Sequence, residues 1–120
     1  IGKRGIKQGK KNRNMETEDG QIEGPYSNPG GLDYPGIGPM HANLAKLGRS
    51  EVLAVTDDEA MQAAFELTKL EGIIPAIESA HALGALDKKK FKKDDVVVLC
   101  LSGRGDKDME TYIKYNEDKN

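Results

Sequence analysis

The residues best placed to do chemistry follow the most apolar run of the sequence. Ser102 is the first polar side chain after Val96–Leu101, and glycines stand at positions 103 and 105. Ligands of open α/β sheets collect where loops leave the carboxyl ends of the strands, and Gly103 lets the backbone approach such a ligand. A hydroxyl donates to or accepts from a heteroatom without imposing a charge. Ser102 and Gly103 are therefore candidate binding residues, and the alternative is a tight turn in which Asp106 caps the next helix.

Glu78 is a second candidate, because it ends an apolar run and opens a predicted helix. Its carboxylate either faces a cleft beside the strand ends or lies in solvent at a helix start. His41 and His81 are isolated from other metal-ligating residues in the sequence, which favours surface or packed histidines over metal ligands.

The stretch from Gly30 to Pro39 is rich in glycine and proline and contains one acid, Asp33. Such a segment exposes backbone carbonyls, which suit a hard cation. An irregular connection between elements is the simpler interpretation.

The elements that would position these residues alternate between helices and strands. Thr56 and Glu59 have the spacing of a capping box, which marks the clearest helix start. The sequence predicts a helix from Pro39 to Gly48, a strand at 51–55 and a helix from Thr56 to Gly72. It then predicts an edge strand or an extended connection at 73–77, a helix at 79–86, a buried strand at 96–101 and a helix at 109–115. This order predicts an α/β fold. Since only one strand looks central, we expect an incomplete sheet with flanking helices that belongs to a larger sheet.

Composition divides the chain unevenly. Six basic residues and no acid lie in residues 1–13, and nine of the 14 glycines lie in residues 1–38. We expect residues 1–30 to be irregular, residues 31–115 to form the structured domain and residues 116–120 to form a polar tail. The basic run either touches phosphates or is solvated.

The whole-chain properties exclude several classes of function. The net charge of −2 gives no case for nucleic-acid binding, and no apolar run approaches the length of a membrane span. With 120 residues the chain is too short for a two-domain enzyme.

Several blocks together resemble the carboxyl-terminal third of the tryptophan synthase beta chain. They are Gly31–Pro39, Val55–Ala60, Glu71–Ser79 and Leu101–Asp108. The resemblance implies part of the large domain of pyridoxal-phosphate fold type II. It also implies a lyase that replaces the hydroxyl of serine by indole to give tryptophan.

The resemblance also implies roles for single residues. Ser102 matches the residue that hydrogen-bonds the pyridine nitrogen of pyridoxal phosphate, with Gly103 beside it, and Glu78 matches a carboxylate next to the cofactor ring. Asp33 matches an acid that forms a salt bridge when the active site closes. The backbone carbonyls of three residues match part of a monovalent-cation site: Leu32, Tyr34 and Gly36.

The chain departs from the family pattern in ways that bear on activity. Met40 stands where the family usually has Glu or Gln. The His-Lys block that supplies the Schiff-base lysine and the glycine run that holds the phosphate are not among these 120 residues. We therefore expect the 120 residues alone to be inactive.

The expected partners are serine, indole, an alpha subunit and a second beta chain in a homodimer, in the cytoplasm or in a plastid if the source is a plant. Nucleic acid and membrane are not expected partners. Two alternatives stay open: a stand-alone, non-catalytic module that binds an anion or a partner, and a split enzyme with the lysine on another polypeptide.

Overall fold

The computed structural model describes residues 2–7, 9–24, 27 and 30–119. These residues form two compact units, residues 1–53 and residues 54–120, and each unit is described by itself. Within the described residues, no helix is long and apolar enough to cross a membrane.

The first unit contains a three-stranded antiparallel sheet. Strand β1 (Lys3–Lys7) pairs with β2 (Lys10–Asn14), and the short β3 (Gly36–Ile37) pairs with the other edge of β2. Gly9, in the connection between β1 and β2, has a φ of 71°, which glycine adopts readily.

The hairpin corrects the expectation that residues 1–30 are irregular. Its strands lack the alternation of apolar and polar residues by which strands are recognised in a sequence. The buried positions of β2 are polar, Asn12 and Asn14. Residues 1, 8, 25, 26, 28 and 29 of the expected irregular segment lie outside the described residues. The division into 1–30, 31–115 and 116–120 as domains stays a prediction.

Helix α1 (Pro39–Lys46) completes the first unit and confirms the predicted helix. Gly38 is its N-cap, and proline at the first position needs no hydrogen-bond partner for its nitrogen. Gly48 follows the helix with a φ of 68°. The predicted strand at 51–55 is wrong, because these residues form neither helix nor strand and 51–54 are exposed.

The second unit begins with helix α2 (Asp57–Glu71), the most accurately predicted element. The Thr56 hydroxyl accepts from Glu59 N at 3.3 Å, and Thr56 N donates to Glu59 Oε2 at 2.8 Å. Gly72 ends the helix in the left-handed conformation. The capping box and the glycine stop are therefore confirmed.

Helices α3 (Ile77–Gly84) and α4 (Met109–Lys119) pack with α2 around one small core. Small side chains allow α2 and α3 to approach closely. The buried residues of this core are Ala60, Met61, Ala64, Ile77, Ala80 and Tyr112. Helix α4 runs to Lys119, so residues 116–119 are helical rather than a frayed tail, and Asn120 lies outside the described residues.

The predicted buried strand at 96–101 is wrong. The segment forms neither helix nor strand, and Val96 and Val98 are 91% and 90% exposed. A strand needs a neighbour for its backbone groups, and none of the described residues supplies one. The α/β composition is confirmed as four helices with a small antiparallel sheet, and the larger parallel sheet is not formed by these residues.

Candidate functional site

The Ser102 loop packs against the extended segment Ile74–Ala76 of the second unit. Gly105 N donates to the Ile74 carbonyl oxygen at 3.1 Å. A Cβ at Gly105 would lie 2.5 Å from that same oxygen, and a Cβ at Gly103, where φ is 75°, would lie 3.1 Å from the Ala76 Cβ. Glycine is therefore required at 105 by close approach and at 103 by the backbone conformation.

Ser79 fixes the start of this loop from helix α3. The buried Ser79 hydroxyl donates to the Ser102 carbonyl oxygen at 2.6 Å, and its oxygen lies 3.4 Å from Ser102 Oγ. Since Ser79 gives its only proton to the carbonyl, the contact between the two hydroxyls runs from Ser102 as donor to Ser79 as acceptor. At 3.4 Å it is long for a hydroxyl pair, so a better-placed acceptor on a ligand competes well for the Ser102 proton. Ser102 itself is exposed.

Lys107 joins the loop to the start of α3 through two carboxylates. Its Nζ donates to Glu78 Oε2 at 2.9 Å and to both oxygens of Asp108 at 2.8 Å. The hydrogen bonds with Asp108, and then with Glu78, raise the pKa of Lys107 above its ordinary value.

Asp108 and Tyr112 complete the frame around the loop. Asp108 Oδ2 accepts from Ile77 N at 3.1 Å, so it caps α3, whose own N-cap residue, Ala76, has no side-chain acceptor. The buried Tyr112 hydroxyl donates to the Pro75 carbonyl oxygen at 2.7 Å. Burial, followed by the charge of Asp108, raises the pKa of Tyr112 to about 12. Asp106 does not stand at the start of the next helix as considered above, because it lies within a 3₁₀ turn (Gly105–Asp108) that precedes α4, and its carboxylate pairs with Arg104 at 2.8 Å.

His81 holds α3 against the start of α2. Its Nδ1 lies 2.8 Å from the Ile77 carbonyl oxygen, and its Nε2 lies 3.1 Å from Asp57 Oδ1. Among the described residues, no group of three potential metal-ligating side chains comes together. His81 is thus a packed histidine with a defined structural contact.

The other candidate residues lie in the first unit. Leu32 ends a 3₁₀ turn (Gly30–Leu32), Asp33 N donates to the Gly30 carbonyl oxygen at 3.3 Å, and the Asp33 side chain is exposed. Tyr34 is half exposed, and Gly36 lies in β3 opposite Asn14. The assignment of these residues to a cation site and to a closing salt bridge stays a prediction.

The structure therefore connects Glu78, through Lys107, to the loop that carries Ser102 and Gly103. Sequence reasoning missed the three side chains that build this frame: Ser79, Lys107 and Asp108. The sequence shows lysine between two aspartates in Asp106-Lys107-Asp108. This pattern does not reveal that Lys107 and Asp108 contact α3, which lies about 30 residues earlier in the chain.

Comparison with known proteins tests the resemblance. The chain is 69% identical over 114 residues to the tryptophan synthase beta chain of Azobacteroides pseudotrichonymphae, covering 95% of this chain and 29% of that protein. It is 68% identical over 117 residues to that of Bacteroides thetaiotaomicron, covering 98% and 30%, and 55% identical over 117 residues to that of Streptomyces coelicolor, covering 96% and 27%. No family model matches the chain.

All three relatives carry the name tryptophan synthase beta chain. They are therefore subunits of a synthase that makes an amino acid. The resemblance of this chain to the carboxyl-terminal part of the tryptophan synthase beta chain is confirmed. The chain spans a little under a third of the length of the curated relatives it matches.

Proposed function

We propose that this chain is the carboxyl-terminal portion of a tryptophan synthase beta chain, a pyridoxal-phosphate-dependent lyase of fold type II that joins serine and indole to give tryptophan. The observation that carries the proposal is the 69% identity over 95% of the chain, which includes the Ser102 loop. The geometry of that loop supports a binding role, because its serine is exposed while its backbone is fixed by Ser79.

The residues of the second unit fit a contact with the ring of pyridoxal phosphate. That cofactor, when bound, supplies an electron sink for the bonds around the α carbon of an amino acid. Ser102 presents a neutral hydroxyl, which hydrogen-bonds a ring nitrogen without forcing it to become protonated, and Gly103 holds the backbone turn beside it. A carboxylate in the place of Ser102 would instead favour protonation of that nitrogen.

Glu78 serves beside the ring as a carboxylate whose position is set by Lys107. The 2.9 Å contact between Lys107 Nζ and Glu78 Oε2 restricts the rotation of the Glu78 side chain. Lys107 is therefore a positioning residue for Glu78, and Asp108 holds Lys107 in place. These contacts orient the carboxylate before any substrate is bound.

The first unit supplies the remaining assignments by resemblance. Asp33 forms a salt bridge when the site closes, and three backbone carbonyls contribute to a monovalent-cation site, those of Leu32, Tyr34 and Gly36. Carbonyl oxygens are ligands that suit such a hard cation. The complete protein works in the cytoplasm as a homodimer that associates with an alpha subunit.

A chimera tests the Ser102 assignment. The 120 residues replace the matching segment of the Bacteroides thetaiotaomicron relative, and ¹⁵N NMR reads the pyridine nitrogen of labelled pyridoxal phosphate bound to it. We expect an unprotonated nitrogen in the chimera and a protonated one after Ser102→Asp. Glu117→Gln, an exposed change in α4, is the control and leaves the signal unchanged. A nitrogen signal that Ser102→Asp does not move would contradict the ring contact.

The isolated chain provides a second test, because the lysine that binds the cofactor in the family is not in a matching context here. We expect no tryptophan from the 120 residues supplied with serine, indole and pyridoxal phosphate. Steady turnover by the purified chain would contradict this expectation. A chimera that folds but does not bind the cofactor would favour the alternative, a non-catalytic module derived from the family.

A further inference from the structure

The hairpin of the first unit concentrates positive charge on one face. Its strands place Arg4 directly opposite Arg13 and Ile6 directly opposite Lys11. Directly opposed residues of an antiparallel pair lie on the same face of the sheet, as do residues two apart on one strand. Arg4, Lys11 and Arg13 therefore share a face, and Lys10 lies on the other.

Helix α1 lies beside this face and adds a fourth positive charge. Pro39, Ala42, Asn43 and Lys46 recur at the spacing of a single helix face. Together with the hairpin residues they line a cavity of about 200 Å³, whose lining residues are Arg4, Lys11, Asn12, Arg13, Pro39, Ala42, Asn43 and Lys46. As far as the described residues go, the lining contains four cationic side chains and no acid.

The four cationic side chains meet no counter-charge among the residues that the structure describes. Within the described part of the chain, none of them forms an ion pair or a side-chain hydrogen bond. The nearest acid along the strand, Glu16, accepts a hydrogen bond from Asn14 Nδ2 at 3.3 Å, and Asn14 belongs to the opposite face. Like charges placed directly opposite each other repel, and an anion between them removes that repulsion.

We propose that this cavity binds a phosphate group, either as inorganic phosphate or as the phosphate of a small monoester. Two arginine side chains facing each other match the tetrahedral oxygens of a phosphate, because the guanidinium fork donates two parallel hydrogen bonds. Lys11 and Lys46 add point charges, and the Asn43 amide adds a neutral donor. The site lies wholly within the first unit, so it does not depend on the proposed lyase function.

The size and lining of the cavity favour a small phosphate compound over a nucleic-acid strand. A cavity of about 200 Å³ is smaller than the roughly 300–1,000 Å³ of sites for drug-sized ligands. Single-stranded nucleic acids bind along grooves with aromatic side chains on which the bases stack. No aromatic residue of the described part of the chain lines this cavity.

Calorimetric titration of the 120-residue protein at constant ionic strength tests the proposal. The probes are inorganic phosphate, phenyl phosphate as a simple monoester, and a single-stranded DNA 12-mer. We expect one saturable site for at least one of the two small phosphates. The probe that binds more tightly shows whether the site prefers free phosphate or a phosphate monoester. Arg13→Ala should raise the Kd by about tenfold or more, since it removes a charge-assisted bidentate contact. Arg13→Lys should give an intermediate Kd, because it keeps the charge and loses the fork.

Two control variants remove a positive charge elsewhere in the same unit. Lys10→Ala acts on the opposite face of the hairpin, and Arg49→Ala acts outside the cavity. Both should leave the Kd within about twofold, because long-range charge effects are screened by salt. If circular dichroism shows that Arg13→Ala unfolds the hairpin, Lys46→Ala on the exposed end of α1 takes its place, with a raised Kd expected.

Three results would overturn the proposal. One is the absence of saturable binding of either small phosphate up to about 50 mM, which is weaker than any specific site of this charge should be. Another is an equal loss of affinity in Lys10→Ala and Arg13→Ala, which would indicate a general charge effect. The third is tight, steeply salt-dependent binding of the DNA 12-mer alone, which would assign the face to a nucleic-acid backbone.

Discussion

The hydrogen bond from Tyr112 to Pro75 gives the sharpest stability prediction. The phenol oxygen lies 2.7 Å from the Pro75 carbonyl oxygen, Tyr112 is 5% exposed and Pro75 is fully buried. Tyr112→Phe leaves the ring in place but removes the hydrogen-bond donor of the buried Pro75 carbonyl. Leaving such a group unsatisfied costs about 1–3 kcal/mol. We expect the free energy of unfolding at pH 8 to fall by that amount in urea titrations followed by helix circular dichroism.

Burial of Tyr112 also gives the stability a pH dependence of known sign. Burial raises the pKa of Tyr112 from 10.0 to about 12, so the folded protein keeps the phenol proton where the unfolded chain has lost it. The stability contributed by Tyr112 is complete below pH 10 and disappears as pH rises towards 12. Since each pKa unit corresponds to about 1.4 kcal/mol, up to about 3 kcal/mol is at stake. The difference between the protein and Tyr112→Phe should therefore shrink above pH 10.

Tyr115→Phe is the matched control for this prediction. The Tyr115 hydroxyl donates to the Asp58 carboxylate at 2.6 Å, but the Asp58 side chain is 52% exposed and finds water in place of the lost donor. Its loss should cost under about 1 kcal/mol at pH 8. The reasoning is refuted if Tyr112→Phe costs less than the control, or if its cost does not change between pH 9 and pH 12.

Three further changes test the frame of the second unit. Thr56→Ala should lower the free energy of unfolding by about 1 kcal/mol through loss of the capping box, whereas Thr56→Ser, which keeps the hydroxyl, should recover most of it in the same urea titration. Gly105→Ala should destabilise by about 1–3 kcal/mol because its Cβ meets the Ile74 carbonyl at 2.5 Å. Gly24→Ala, whose Cβ meets no atom of the described residues within 4 Å, should change stability by less than about 0.5 kcal/mol, and equal effects would contradict the packing argument. Asp108→Asn should bring the pKa of Lys107 back towards its ordinary value, as read by NMR titration of the lysine ε protons, and an unchanged midpoint would show that Asp108 does not hold that charge.

The helices could be predicted well because a few neighbouring residues determine where each helix begins and ends. Thr56 and Glu59 fix the start of α2 and Gly72 fixes its end, and these contacts span at most four positions in sequence. Proline after Gly38 did the same for α1. Helix termini are determined mainly by such local hydrogen bonds, so a sequence pattern suffices.

The errors concern strands, whose partners are distant in sequence. Val96–Leu101 has the composition of a buried strand, but a strand forms only beside another strand, and the described residues offer none. The hairpin is the opposite case, since Lys10–Asn14 has no apolar pattern but pairs over its full length with Lys3–Lys7. Pairing of backbone groups, which side-chain type does not reveal, decided both outcomes.

The candidate site was predictable only in part for the same reason. Its glycines and its serine are recognisable as a loop that approaches a ligand. The bonds that fix the loop join Ser79 to Ser102 and Lys107 to Glu78, across 23 and 29 positions of sequence. No spacing rule connects residues so far apart, and only the packing of α3 against the loop brings them together.

The rate of tryptophan formation by the chimera with the Bacteroides thetaiotaomicron relative tests the central claim most directly. The account predicts that the chimera, loaded with pyridoxal phosphate and given serine and indole, turns over within about tenfold of that relative. A chimera that folds and binds the cofactor but forms no tryptophan would contradict the claim that these 120 residues are the carboxyl-terminal portion of a functional tryptophan synthase beta chain.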